Sequence, residues 1–216
     1  MAIIIESKRG ININITDNEV IRLLGYNTKK KKPPEKIYQM LSQERKKLHS
    51  LLTAKAAYQI FDKSEIKPHI VFDEAKKIAI CICTIGGKLE QRVSNLFQQN
   101  EMLRGLILDA LGSEATEQVA NWANSEICHQ AAQLKLKGSR RFSPGYGKWG
   151  IEEQDYIFSL LPADAIGVNL THSMMMIPRK SISFAIKLRI KGYKEDNKSL
   201  CENCNLKLTC LYRKDK

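Results

Sequence analysis

Apolar positions along the chain switch repeatedly between short continuous runs and helical spacing. Segments 2–6 and 11–15 are short and isoleucine-rich, separated by Lys8, Arg9 and Gly10, and suit two edge strands or one irregular ribbon. Thr16, with Glu19 three residues on, has capping-box spacing and predicts a helix through Leu24, closed by Gly25. Residues 27–34 form a polar, basic loop ending in proline. Ile37, Met40, Leu41, Leu48, Leu51, Leu52 and Ala56 then recur at helical spacing, which predicts one amphipathic helix over 35–61. Pro68 breaks the chain before Lys77–Thr84, an apolar run that reads as a buried strand ending at Gly86 and Gly87.

From there to Leu136 the pattern is helical, with one helix over 88–99 and a longer one beyond it. Gly105 and Gly112 interrupt the second at a propensity penalty of about 1 kcal/mol each. The sequence accounts for them if another backbone or a ligand approaches closely there. Segment 138–149 is the least regular, 151–161 is helical, and 166–170 and 182–190 alternate as strands do. Helices grouped in the first two thirds with strands mainly at the ends indicate an α+β fold rather than a doubly wound parallel one.

Composition narrows the class further. A chain of 216 residues, 43% hydrophobic, supports one substantial core, and no apolar run is long enough to cross a bilayer. The first residues lack the features of a signal peptide, so a cytoplasmic location is expected. Of the net +12 charge, segment 29–47 carries +6 and segment 187–216 carries +5, leaving the middle nearly neutral. The lysine run has no interleaved aromatics, which disfavours nucleic acid, and it suits a solvated face or an acidic partner. Cys81 and Cys83 share one face of an apolar strand and read as buried structural thiols.

Unusual chemistry is concentrated in Arg141-Phe-Ser-Pro144-Gly145-Tyr146-Gly147. Pro144 fixes φ, and Gly145 permits positive φ or close ligand approach. Arg141 supplies a planar fork for a carboxylate, and Tyr146 a ring face for a cation. Together they suit a ligand with an adenosyl end, a carboxylate and a positive centre.

Arg141-x-x-x-Gly145-Tyr146 resembles the S-adenosylmethionine-binding motif in the activation domain of cobalamin-dependent methionine synthase. A second block agrees, running from Gly167 through Thr171, Ser173, Pro178 and Ser181 to Ser183. Thr84-Ile-Gly86 and Asp109-Ala-Leu-Gly112-Ser113 look like the family's short, stand-alone members. The resemblance implies a twisted antiparallel sheet with flanking helices and S-adenosylmethionine in a shallow groove. Arg141 would meet the methionine carboxylate, with Pro144, Gly145 and Tyr146 at the adenosyl site. Glu117 on the long helix, with Glu114 and Glu126 as competitors, would face the ligand, and Tyr193 stands where the family has a further tyrosine. Asp17 and Asp62 are the candidates for the family's N-terminal acidic contact.

The implied activity is reductive remethylation of a corrinoid cofactor. With no cobalamin-binding module in the sequence, the corrinoid is expected on a separate methyltransferase or corrinoid protein, and an electron-transfer protein is a further expected partner. The domains implied are an N-terminal helical and strand segment packed on the core (1–76), the S-adenosylmethionine-binding core (77–192) and a basic cysteine-containing tail (193–216). In that tail Cys201-x-x-Cys204-x5-Cys210 has spacing for zinc or an iron–sulfur cluster, and also fits redox-active or free thiols. The alternative function is a non-catalytic adapter that holds an acidic protein or RNA through basic ends and a metal-bound tail.

Overall fold

The computed structural model describes residues 1–6, 11, 13–26 and 32–190. Strand β3 (Lys77–Thr84) forms the centre of a five-stranded antiparallel sheet. β2 (Lys55–Asp62) and β7 (Ser181–Ile190) flank it, and β1 (Ile3–Glu6) and β4 (Leu136–Gly138) close the order β1-β2-β3-β7-β4. Two short strands, β5 (Asn169–Leu170) and β6 (Met176–Ile177), pair separately.

β3 reads as one apolar run because both of its faces are covered. Ala79, Cys81 and Cys83 meet a helical layer, while Ile78, Ile80 and Ile82 meet a second layer of turns and one short helix. The helical layer contains α1 (Asp17–Leu23), α2 (Glu35–Leu51), α3 (Lys88–Gln98) and α4 (Met102–Gln133). The opposite layer contains α5 (Gln154–Leu160) and the 3-10 turns Lys63–Glu65, Ile70–Phe72, Ile151–Glu153 and Asp164–Ile166. The mixed architecture matches the expected α+β class and its twisted antiparallel sheet with flanking helices.

Several local expectations are corrected. The helix read over 35–61 ends at Leu51; Leu52 is extended, and Lys55–Asp62 pairs with β3 over its whole length and with β1 over residues 55–58. Apolar residues at 51, 52 and 56 continue the helical spacing by coincidence, and two flanking strands satisfy the backbone of 55–62 as a ladder. The described residues of 11–15 form no strand, Thr16 precedes α1 without a side-chain cap hydrogen bond, and Glu19 accepts from Arg22 Nε at 2.9 Å. Of 166–170, only Asn169–Leu170 is strand. Gly105 and Gly112 do admit a close neighbour, though it is neither backbone nor ligand. A Cβ on Gly105 would lie 2.4 Å from the Phe97 ring, and one on Gly112 would lie 2.6 Å from a Leu89 methyl, both on α3.

α4, about 48 Å long at 1.5 Å per residue, spans 32 residues and packs on α1, α2, α3 and the sheet. Its reach along β7 positions the site. Among the described residues no helix is long and apolar enough to cross a membrane.

Candidate functional site: the groove between α4 and the β7 edge

After Gly138 the chain continues along β7 with one residue too many for a regular ladder. Gly138 pairs with Leu188 and Phe142 with Ala185, so four steps on one strand oppose three on the other. Ser139 N donates to Lys187 O at 2.8 Å while Lys187 N donates to Ser139 Oγ at 3.0 Å, and Phe142 and Ala185 exchange backbone bonds (2.8 and 3.1 Å), leaving Arg140 and Arg141 together opposite Ile186. This is a β-bulge, a device that re-aims side chains. Strict alternation from Gly138, whose Cβ position meets Cys128 on α4, would turn Arg141 away from the helices. Through the bulge Arg141 lies on the helical face and Phe142 on the other, against Phe72 and Trp149.

The Arg141 guanidinium carbon sits 5.2 Å above the Phe184 ring centre. Its Nη2 donates to Glu117 Oε2 at 3.0 Å and Asn121 Oδ1 at 2.9 Å, both on α4. These are its only hydrogen bonds among the described residues, so Nε and Nη1 have no partner there. The Arg141 and Glu117 side chains are 23% and 48% exposed, which keeps the pair accessible from solvent. Beneath it lie the buried thiols of β3. Burial pushes Cys83 up to about 12, against a lowering influence from Arg141, and holds Cys81 well above the ordinary thiol value. Both are protonated structural thiols at neutral pH.

Beyond Phe142 the chain leaves the sheet in two tight turns. Ser143-Pro144-Gly145-Tyr146 is a type II turn: Pro144 occupies the first central position, Gly145 the second at φ +86°, and Tyr146 N donates to Ser143 O at 3.3 Å. The second turn has Gly147 at φ +61°, closed by Trp149 N to Tyr146 O at 3.2 Å and Gly145 N to Trp149 O at 2.8 Å. Trp149, buried against Phe72 and Phe142, anchors the loop, and Ser143 Oγ ties it to Ser183 O at 2.7 Å. Pro144 is buried, whereas the Tyr146 side chain stands exposed on this rigid support.

The site residues expected from sequence therefore divide clearly. Arg141 and Glu117 meet, and Pro144, Gly145 and Tyr146 shape the adjoining turn. Glu114 is buried and accepts from Gln118 at 2.6 Å, and Glu126 lies toward Tyr58. Asp17 pairs with Arg45, and Asp62 with Lys77 at 2.6 Å. Tyr193, Cys201, Cys204 and Cys210 lie outside the described residues. Among the described residues no group of three or more His, Cys, Asp or Glu side chains could hold a metal ion. Sequence reasoning missed Asn121 and Lys180. The signal for Asn121 was its place four residues after Glu117 on a largely apolar helix.

In the second block, Thr171 Oγ1 contacts Ser173 Oγ at 3.0 Å and accepts from Met175 N at 3.0 Å. Ser181 Oγ donates to Pro178 O at 2.6 Å, and Ser183 Oγ to Gln154 Oε1 at 2.7 Å. These residues lock the turn before β7 and the packing of α5 on it.

A family model described as vitamin B12 dependent methionine synthase, activation domain, matches residues 13–189. Among solved structures, the fold is similar to a crystal structure of the MetH reactivation domain bound to AdoHcy. That likeness has a TM-score of 0.67 at 13% identity, covering 90% of this chain and 80% of the other. No curated protein sequence matches the chain.

Proposed function

The chain belongs to the family of vitamin B12-dependent methionine synthase activation domains, and from that premise we propose that it binds S-adenosylmethionine beside Arg141. In this reading it serves the remethylation of a corrinoid carried by a separate methyltransferase or corrinoid protein, with an electron-transfer protein as donor.

The observation that carries the proposal is the half-exposed pair of Arg141 and Glu117, 3.0 Å apart. A guanidinium and a carboxylate side by side complement an amino-acid zwitterion, Arg141 taking the carboxylate and Glu117 the ammonium. The residues fit the ligand: Arg141 holds Glu117 and Asn121 through Nη2, which leaves its Nη1 N–H groups to donate charge-assisted hydrogen bonds to a carboxylate. Tyr146, raised on its type II turn, offers a ring face to a sulfonium. The AdoHcy bound in the structural relative supports the same reading.

When bound, S-adenosylmethionine supplies an activated methyl group for a reduced cobalt centre. The chain's own contribution is positional. Phe184, Glu117 and Asn121 fix the Arg141 fork in advance, so little side-chain entropy is lost on binding. The Trp149 anchor and the bulge fix where Tyr146 and Arg141 stand relative to β7.

Calorimetric titration with S-adenosylmethionine, with S-adenosylhomocysteine as comparison, tests the proposal. One-site binding, weakened at least about tenfold in Arg141→Ala, is expected from the loss of a charge-assisted hydrogen-bonding partner. No binding at millimolar ligand, with a corrinoid protein present or absent, would overturn it.

A further inference from the structure

The polar stripe on α4 extends beyond the Arg141 end of the groove. Asp109, Ser113, Glu117 and Asn121 fall at every fourth position, about one turn apart, on a helix that otherwise buries mostly apolar residues. The far end repeats the arrangement around Arg141. Lys180 Nζ donates to Ser113 Oγ at 2.7 Å and pairs with Asp109 Oδ1 at 2.9 Å. As with Arg141, a cation from the β7 side meets a carboxylate on α4 and a polar side chain four residues later.

The Lys180 end is built rigidly. Its amide donates to Glu90 Oε1 at 2.7 Å, and its carbonyl accepts from Ile85 N at 3.2 Å and Thr84 Oγ1 at 3.3 Å. The Lys180 side chain is only 15% exposed, whereas Asp109 is 43% exposed. A fixed, largely buried ammonium thus holds one oxygen of a carboxylate that solvent reaches.

The loop after Phe142 points the same way. Phe142 pairs at Ala185 and Ser143 bonds at Ser183, so this wall advances along β7 toward Ser181 and Lys180. Along α4 and the β7 edge, Arg141 with Glu117 therefore stands at one end and Lys180 with Asp109 at the other.

We propose that Asp109, anchored by Lys180 and Ser113, is the subsite that accepts hydrogen bonds from the ribose hydroxyls of the adenosyl ligand, an inference that rests on the reading of Arg141 above. Asp109 and Glu117 lie about 12 Å apart along the helix at 1.5 Å per residue. Roughly eight bonds separate the methionine carboxyl carbon from the ribose 3′ oxygen. At about 3.8 Å per three bonds of extended chain that is about 10 Å, so one extended molecule reaches both ends. The arrangement also gives Asp109-Ala-Leu-Gly112-Ser113 a role: Asp109 and Ser113 face the groove while Gly112 admits Leu89 behind them.

The test compares S-adenosylhomocysteine with its 3′-deoxy analogue by calorimetry on the whole chain. Wild type is expected to prefer the parent ligand at least about tenfold, the scale of a hydrogen bond to a charged acceptor, and Asp109→Asn to bind both equally. Equal binding by wild type overturns the proposal without any variant, and a full preference kept in Asp109→Asn overturns it as well. Should Asp109→Asn fail to fold by circular dichroism, Lys180→Met, which removes the anchor, takes its place under the same criterion. Wild type binding neither compound would instead overturn the underlying reading of the Arg141 site.

Discussion

Arg141 crosses the face of Phe184 to set Nη2 3.0 Å from Glu117 Oε2, and it does so only because Arg140 and Arg141 share one place opposite Ile186. The bulge gives two neighbouring arginines different surroundings. Arg141 stacks on a ring and bonds two side chains of α4, whereas Arg140 is exposed.

The two arginines are therefore expected to differ in binding. Arg141→Ala should lower affinity for S-adenosylmethionine at least about tenfold, while Arg140→Ala stays within about threefold of wild type. Isothermal titration of both variants decides it. Equal losses would mean that general positive charge, rather than the aimed fork of Arg141, attracts the ligand.

Gly145 tests the support under Tyr146. Its φ of +86° disfavours any residue with a Cβ, and a Cβ there would stand 3.3 Å from Ile151 Cδ1. Ile151 is 49% exposed and can yield, so the backbone term should dominate. Gly145→Ala is expected to cost about 1–2 kcal/mol in urea denaturation. Adding Ile151→Ala should restore none of it; recovery in the double variant would show that the clash, not the left-handed backbone, was the cause.

The helix glycines make an opposed pair. Alanine gains about 1 kcal/mol of propensity in a helix interior, and overpacking a filled site costs about 1–3 kcal/mol. At Gly105 the obstacle is the Phe97 ring, only partly buried and able to swing outward; at Gly112 it is Leu89, fully buried. Gly105→Ala should thus be neutral or stabilising, and Gly112→Ala destabilising. Thermal unfolding that ranks them the other way would refute this account of the α3–α4 contact.

These cases mark what the chain discloses as a string of residues. β3, α3 and the mixed class were readable because their apolar spacing is set by burial within the element itself. β2 was not: Lys55–Asp62 carries two alanines and follows a helix in phase, and its strand state comes from β1 and β3 on either side. At the site, Arg141, Gly145 and Tyr146 were legible as a spaced motif. Asn121 and Lys180 were not, since the first needs the i, i+4 face of α4 and the second a contact between residues 180 and 113. The bulge was invisible, because one surplus residue is defined only against its partner strand.

Alkaline pH should expose the buried acids of the core. Tyr58, only 1% exposed, accepts from Gln130 Nε2 at 2.7 Å, and burial, with smaller contributions from Glu126 and Cys81, pushes it up to about 12. Cys83 is also raised to about 12 by burial. In the unfolded chain tyrosine titrates near 10 and cysteine near 8.5. Between those values and about 12 the unfolded state has released protons that the folded state still holds, so stability falls as pH rises. Tyr58→Phe removes one such proton. Its stability should therefore decline less steeply than wild type between pH 10 and 12, by up to about 1.4 kcal/mol per pH unit. The lost Gln130 bond lowers the whole curve without changing that slope. Urea midpoints at pH 8, 10 and 11.5 measure it: converging curves support a buried, protonated Tyr58, and parallel ones would mean that its hydroxyl titrates alike in both states.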